Sequence, residues 1–240
     1  MEAAFAHCAE LVRAADRDRF IAALFAPAER RRALHALYAF NAEVARVRDA
    51  AHQAFPGEIR LQWWSDVISR EREEEARANP VAAALLAIIE RYGLSSAKLI
   101  DLIEAHRFDL YDEAMGSLAD LETYAGRTSS ALFALAAKIL ADCESEDASQ
   151  PAGIAYAITK LMQALPRHVA RRQLYLPVDV LERHQVHLHD LFAGRSSTGL
   201  RAALAELRNL ARNQLLSAGE AMAILPRQAM PALLPIALVR

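Results

Sequence analysis

Pro27, Pro56-Gly57, Asn79-Pro80, Gly93 and Ser95 cut the first part of this chain into segments of helical length, and each fits a helix start or stop signal. Pro27 opens a predicted helix through Ala54, and Pro56-Gly57 separates it from one spanning Ile59 to Ala76. Asn79 caps and Pro80 starts the next, which Gly93 ends; Ser95 then caps a long helix through Met115. Leu118 to Leu140 reads as another helix and Glu144 to Gln150 as a polar linker. Two more helices run from Pro151 to Arg172 and from Thr198 to Ile224, with Val178 to Phe192 broken into short pieces between them. A last helix begins near Arg227 and still reads as apolar at Ile236-Ala237-Leu238-Val239, so a further C-terminal helix is expected beyond it. Ala, Leu, Arg and Glu dominate, β-branched runs are short and glycine totals only 8. Strands therefore lack support, and the expected fold class is all-α.

With 240 residues and 54% hydrophobic content, the chain suits a single domain, 1-240, large enough for a pocket as well as a core. Its 28 Lys and Arg against 30 Asp and Glu give a net charge of -2, so no global field recruits nucleic acid or an anionic membrane. Cys8 and Cys143 form no CxxC pair and read as ordinary thiols of a reducing compartment. The first residues show no basic stretch followed by an apolar run, and no segment reaches the roughly 20 apolar residues of a spanning helix. These features fit a cytoplasmic protein with at most peripheral membrane contact.

His184, His187, His189 and Asp190 have metal-ligating types, but His187 and His189 are two apart and share no helix face. A solvated connector is favoured there over a zinc site. Ser129, Ser130, Ser196 and Ser197 stand in no nucleophile motif, and no glycine-rich phosphate loop exists. The charge run Glu71 to Glu75 fits a solvated helix end. Hydrolase and nucleotide-binding readings are set aside.

Two segments, Leu34-His35-Ala36-Leu37-Tyr38-Ala39-Phe40 and Arg171-Arg172-Gln173-Leu174-Tyr175-Leu176-Pro177, resemble the signature regions of squalene and phytoene synthases. Leu61-Gln62-Trp63-Trp64 and Gly153-Ile154-Ala155 support the match, which covers nearly the whole chain. The resemblance implies the isoprenoid synthase fold, a helical bundle around a central cavity. It also implies two facing Asp-x-x-x-Asp motifs, because carboxylates four apart share a helix face and two such faces hold Mg²⁺ against a diphosphate. Carried over residue by residue, the first motif falls on Ala45 and Asp49, with the preceding arginine on Ala42. On the second helix the family's Gln, Asn, Asp and Asp fall on Ala157, Lys160, Ala164 and His168, and a phosphate-binding serine falls on Asp18. Tyr38, Arg171 and Tyr175 are retained. The resemblance thus places Tyr38, Asn41, Ala45, Asp49, Lys160, Ala164, His168, Arg171 and Tyr175 along the cavity, with Asn41, Ala45 and Asp49 facing Lys160, Ala164 and His168. No catalytic residue is assigned, Asp49 is a lone weak metal candidate, and no cofactor is expected; an active enzyme would need Mg²⁺.

Other acids available to the cavity are Glu43, Asp109, Asp112 and Glu113, of which Glu43 stands at helical pairing distance from Arg46. The run from Ala39 to Asp49, together with Leu121-Glu122-Thr123-Tyr124-Ala125 and Leu176-Pro177-Val178-Asp179, is similar to the branch of this family associated with assembly of respiratory complex I. That branch implies a non-catalytic binding or assembly protein with respiratory complex subunits as partners. The loss of motif acids, with Arg171 kept and Lys160 and His168 gained, suits an isoprenoid or anionic lipid ligand in an apolar cavity with a basic mouth; the alternative is that Lys160 and Arg171 reach solvent or pair with local acids such as Asp49 and leave a vestigial cavity. The expected location is then cytoplasmic or peripheral to the inner membrane, on the mitochondrial matrix side in a eukaryotic relative. The wider family implies the alternative, an active synthase condensing two farnesyl or geranylgeranyl diphosphates.

Overall fold

The computed structural model describes residues 1–50 and 53–239. The chain enters through α1 (Glu2–Ala15) and α2 (Arg17–Ala23), which meet at Asp16; its side chain accepts the Arg19 amide at 3.1 Å and caps α2. α3 (Ala28–Ala45) is buried without a break from Ala33 through Phe40, which marks a central helix rather than a surface one. It stops at Arg46, and a short α4 (Val47–Ala50) follows. The single helix expected from Pro27 to Ala54 is thus broken at Arg46; positions 51 and 52 on its path lie outside the described residues. Pro56-Gly57 does not separate helices, since both fall in the first turn of α5 (Ala54–Ile68), where a proline forfeits no ladder bond.

The helix expected from Ile59 to Ala76 is broken at residues 69–72 into α5 and α6 (Glu73–Ala78), whereas α7 (Pro80–Tyr92) and the start of α8 (Ser96–Ala105) follow the expected signals. The Asn79 side chain accepts from the Val81 and Ala82 amides, Gly93 takes φ 60° at the end of α7, and Ser95 accepts from the Lys98 amide. α8 does not continue to Met115; it tightens into a 3₁₀ turn over His106–Leu110. α9 (Leu118–Ala125) and α10 (Ala131–Ala141) are joined by a π turn over Gly126–Ser130. α11 (Glu146–Gln163) starts ahead of Pro151, within the expected linker, because Glu146 and Asp147 suit the positive end of a helix. α12 (Leu165–Ala170), α13 (Val178–Arg183) and α14 (Leu188–Phe192) are short, and α15 (Thr198–Met222) is capped by Ser197. Pro226, Pro231 and Pro235 reduce the last expected helix to α16 (Met230–Leu233) flanked by 3₁₀ turns. A bridge between Ala114 and Leu174 is the sole β pairing among the described residues.

α3 packs against α1, α7 and α10, and α11 packs against α15, α10 and the π turn. Gly153 permits that last contact, because a Cβ there would stand 2.3 Å from the backbone nitrogen of Ser130. The Ser130 hydroxyl bridges the same crossing by donating to the Gln150 carbonyl at 2.8 Å. Trp64, Tyr38, Phe40 and Phe133 are the largest fully buried side chains of the core.

Candidate functional site

The ends of α3 and α11 leave a cleft of about 700 Å³. One wall carries Asn41 and Ala45 from α3 and Asp49 from α4, each four residues after the last. The opposite wall carries Tyr156, Ala157, Lys160 and Leu161 from α11. Asp16 to Arg19, around the α1–α2 junction, line it as well, as do Arg46, His106, Tyr124, Thr128, Ser129 and Arg167.

Five of the positions expected along the cavity lie outside this lining. α11 ends at Gln163, and Pro166 cannot donate a backbone bond, so α12 restarts the ladder; Ala164 becomes a junction residue and His168 turns inward, its ring 4.6 Å from that of Tyr175. Ala164 and His168 therefore do not join Lys160 on the cleft wall. Tyr38 is buried one turn below Asn41, and Tyr175 points into the core, donating to Asp109 at 2.7 Å. Arg171 sits just past α12 and reaches across to Asp49 in an ion pair.

The acids around the cleft are engaged. Lys160 binds Asp18 at 3.1 Å and Arg19 binds Asp16 at 2.6 Å, alongside the Arg171–Asp49 pair. Burial works against the Asp16 carboxylate, but the adjacent Arg19 outweighs it and holds Asp16 below the usual carboxylate range. Burial likewise opposes the charge on Lys160, and its bond to Asp18 more than compensates, raising its pKa. By contrast Arg17, Arg46 and Arg167 line the cleft and form no ion pair among the described residues. Glu43 does not pair with Arg46 as its spacing suggests; it binds Arg60 of α5 at 3.1 Å. Asp112 binds Arg48 at 2.6 Å, and Glu113 is exposed.

The cleft is not the apolar cavity with a basic mouth expected from Lys160, His168 and Arg171; Lys160 and Arg171 instead pair with Asp18 and Asp49, the pairing that the alternative reading expected. Eight of its twenty lining residues are charged, and Leu161 is the one branched aliphatic side chain among them. Among the charged residues Arg19 is only 6% exposed, and its guanidinium carbon lies 4.8 Å from the ring centroid of Tyr156 and 5.8 Å from those of Tyr38 and Phe133. Sequence reading missed Arg17, Arg19, Arg46 and Arg167. The available clue was Arg19 itself, which shares the buried face of α2 with Ala22 and Ala23.

Behind the cleft, Asp109 is buried and accepts from Tyr175 at 2.7 Å and Tyr124 at 3.1 Å, with His106 Nδ1 at 2.7 Å. Burial, followed by the Asp109 charge, keeps both tyrosines protonated far above the usual phenol range. The histidines of the connector are held apart: His184 Nε2 is 2.7 Å from Glu206, whereas His189 lies beside Arg195. Among the described residues no group of three or more His, Cys, Asp and Glu side chains is placed to hold a metal ion. A second cavity of about 430 Å³ near Lys98, Asp101, Arg127 and Glu146 has its charges matched within itself, Lys98 with Glu146 and Arg127 with Asp101.

An all-helical bundle whose long helices flank a cleft in this way has the architecture of terpenoid-synthase-like proteins. The chain belongs to the squalene/phytoene synthase family, whose model matches residues 12–240. It is 31% identical over 230 residues to "NADH dehydrogenase (ubiquinone) complex I, assembly factor 6" of Rattus norvegicus, a match covering 95% of this chain and 69% of that protein. It is 28% identical over 208 residues to a phytoene synthase of Thermus thermophilus, covering 84% of this chain and 69% of the enzyme. The fold superposes on a crystal structure of a dehydrosqualene synthase with a TM-score of 0.88 at 18% identity, covering 99% of this chain and 84% of the other.

Proposed function

We propose that this chain is a non-catalytic member of its family that assists assembly of respiratory complex I and uses its cleft to receive an anionic group. The observation that carries this reading is the neutralisation of Asp49. Of the positions aligned with the metal-binding aspartates, Ala45, Ala164 and His168 carry no carboxylate, and Asp49 is ion-paired with Arg171. Asp18, the nearest alternative on the cleft, is taken by Lys160. Ionising a diphosphate through magnesium needs several carboxylates free to bind the ions. The residues present do not fit that cluster.

The likeness to complex I assembly factors, at 31% identity across 95% of the chain, supports a role beside respiratory complex subunits. Arg17, Arg46 and Arg167, unpaired among the described residues, support an anionic ligand, since guanidinium groups bind carboxylate or phosphate oxygens directly. No helix among the described residues is long and apolar enough to cross a membrane, which agrees with a place in the cytoplasm or on the inner face of a membrane. Disrupting the gene in its own host tests the reading: assembled complex I should fall and be restored by the wild-type chain and by Asp49→Asn alike. Assay of the purified protein with farnesyl and geranylgeranyl diphosphate, with and without Mg²⁺, should yield no condensed product. Turnover that disappears in Asp49→Asn would establish the synthase instead.

A further inference from the structure

We propose that the cleft admits a compact polyanion and excludes a long apolar chain, and that Arg19 is the residue setting this limit. The inference rests on the reading that the cleft receives an anion, and it names the class of anion. An apolar chain gains affinity only where it exchanges water for apolar surface. The cleft offers Leu161 as its one branched aliphatic side chain. The larger apolar surface nearby consists of the rings of Tyr38, Phe133 and Tyr156, and the Arg19 guanidinium lies over all three, between 4.8 and 5.8 Å from their centroids. Asp16 fastens it there at 2.6 Å while also capping α2. Two polar groups in this cluster, Arg19 Nε and the Tyr38 hydroxyl, are buried with no hydrogen-bond partner. A chain entering the ring cluster would have to displace the guanidinium and separate it from Asp16 in a buried setting, which is unfavourable. A head group bearing several oxygens meets the opposite situation at Arg17, Arg46 and Arg167, where no carboxylate competes among the described residues.

Calorimetric titration of the full chain, without metal, uses two probes with a similar head group: inorganic diphosphate and farnesyl thiodiphosphate. The wild-type protein should bind both with affinities within about threefold, and Arg46→Glu with Arg167→Glu should weaken both by about tenfold or more. Arg19→Ala uncovers the rings and should favour the farnesyl probe by about tenfold or more. Because that variant strands Asp16, the pair Asp16→Ser with Arg19→Met, which keeps a capping hydroxyl, is measured beside it and should shift the same way. Wild-type protein that prefers the farnesyl probe by more than about tenfold overturns the proposal yet leaves the anion reading standing. Folded Arg19 variants without a chain preference overturn the role of Arg19. If neither probe binds the wild type, the proposal and the anion reading fall together, while the assembly role is decided separately by complex I levels.

Discussion

Asp109 places one buried carboxylate under three partners, Tyr175, Tyr124 and His106, each bringing a polar atom from a different part of the chain. Removing the acceptor leaves several buried polar atoms unmatched, whereas removing one donor leaves the others in place. Asp109→Ala should therefore cost about 3–5 kcal/mol in urea unfolding and Tyr175→Phe about 1–2 kcal/mol. Equal costs would show that the cluster is not organised around the acid. The Arg171–Asp49 pair is of another kind, with side chains 45% and 35% exposed, so Arg171→Ala should change stability by less than about 1 kcal/mol. Its consequence is for ligands: magnesium titrated into the protein should give no stoichiometric micromolar uptake, and Asp49→Asn should behave identically. Uptake abolished by Asp49→Asn would contradict this. The loss of motif acids at Ala45 and Ala164 was legible in the sequence because a methyl side chain has no donor wherever it points. Arg19 was not, because only tertiary packing puts its guanidinium over three rings from distant helices.

Helix boundaries set by local chemistry were legible, and those set by distant partners were not. Asn79, Gly93 and Ser95 act on backbone groups within a few residues of themselves, and each performs the expected task. The breaks at Arg46 and Ala105 carry no such signal of comparable strength, whereas the one at Gln163 had a visible signal in Pro166. After Ala105 the chain tightens so that His106 and Asp109 meet each other and the two tyrosines, a demand imposed by residues far along the sequence. Gly153 had a visible family context but no visible reason, because its role is the absence of a side chain where α11 crosses the π turn. Gly153→Ala forces a methyl against the Ser130 backbone, which cannot rotate away as a side chain could. It should cost about 3 kcal/mol or more despite the better helix propensity of alanine. A stabilised Gly153→Ala protein would mean the crossing is looser than its geometry indicates. Asn79→Ala, which removes only a cap, should cost about 1 kcal/mol.

Across the whole molecule a net charge of -2 conceals a cleft with five cationic and three acidic lining residues, so global charge describes neither the site nor its response to pH. The response of stability to pH instead involves two buried histidines, one on α3 and one on α12. Burial, with Arg31 nearby, lowers His35 of α3 to about 4; burial, with Arg167 next in weight, lowers His168 of α12 to about 4 as well. In the unfolded chain both titrate near 6.5, so below that pH the unfolded state binds more protons than the folded one. Their contribution to stability is therefore complete above pH 6.5, falls as the pH is lowered, and has been lost by about pH 4. The paired acids respond elsewhere: Glu146, held to about 2 chiefly by its bond to Lys98, has an ordinary value of 4.5, and it loses its contribution below that point. Stability lost between pH 6.5 and 4.5 thus belongs mainly to the histidines, on the order of 2 kcal/mol for each over the full descent. Urea midpoints at pH 7 and pH 4.5 should differ accordingly, and His35→Gln with His168→Gln should flatten the difference even if it lowers stability at both pH values. An unchanged pH slope in that double variant would place the acid sensitivity on other groups and remove the assignment of both histidines as buried neutral residues.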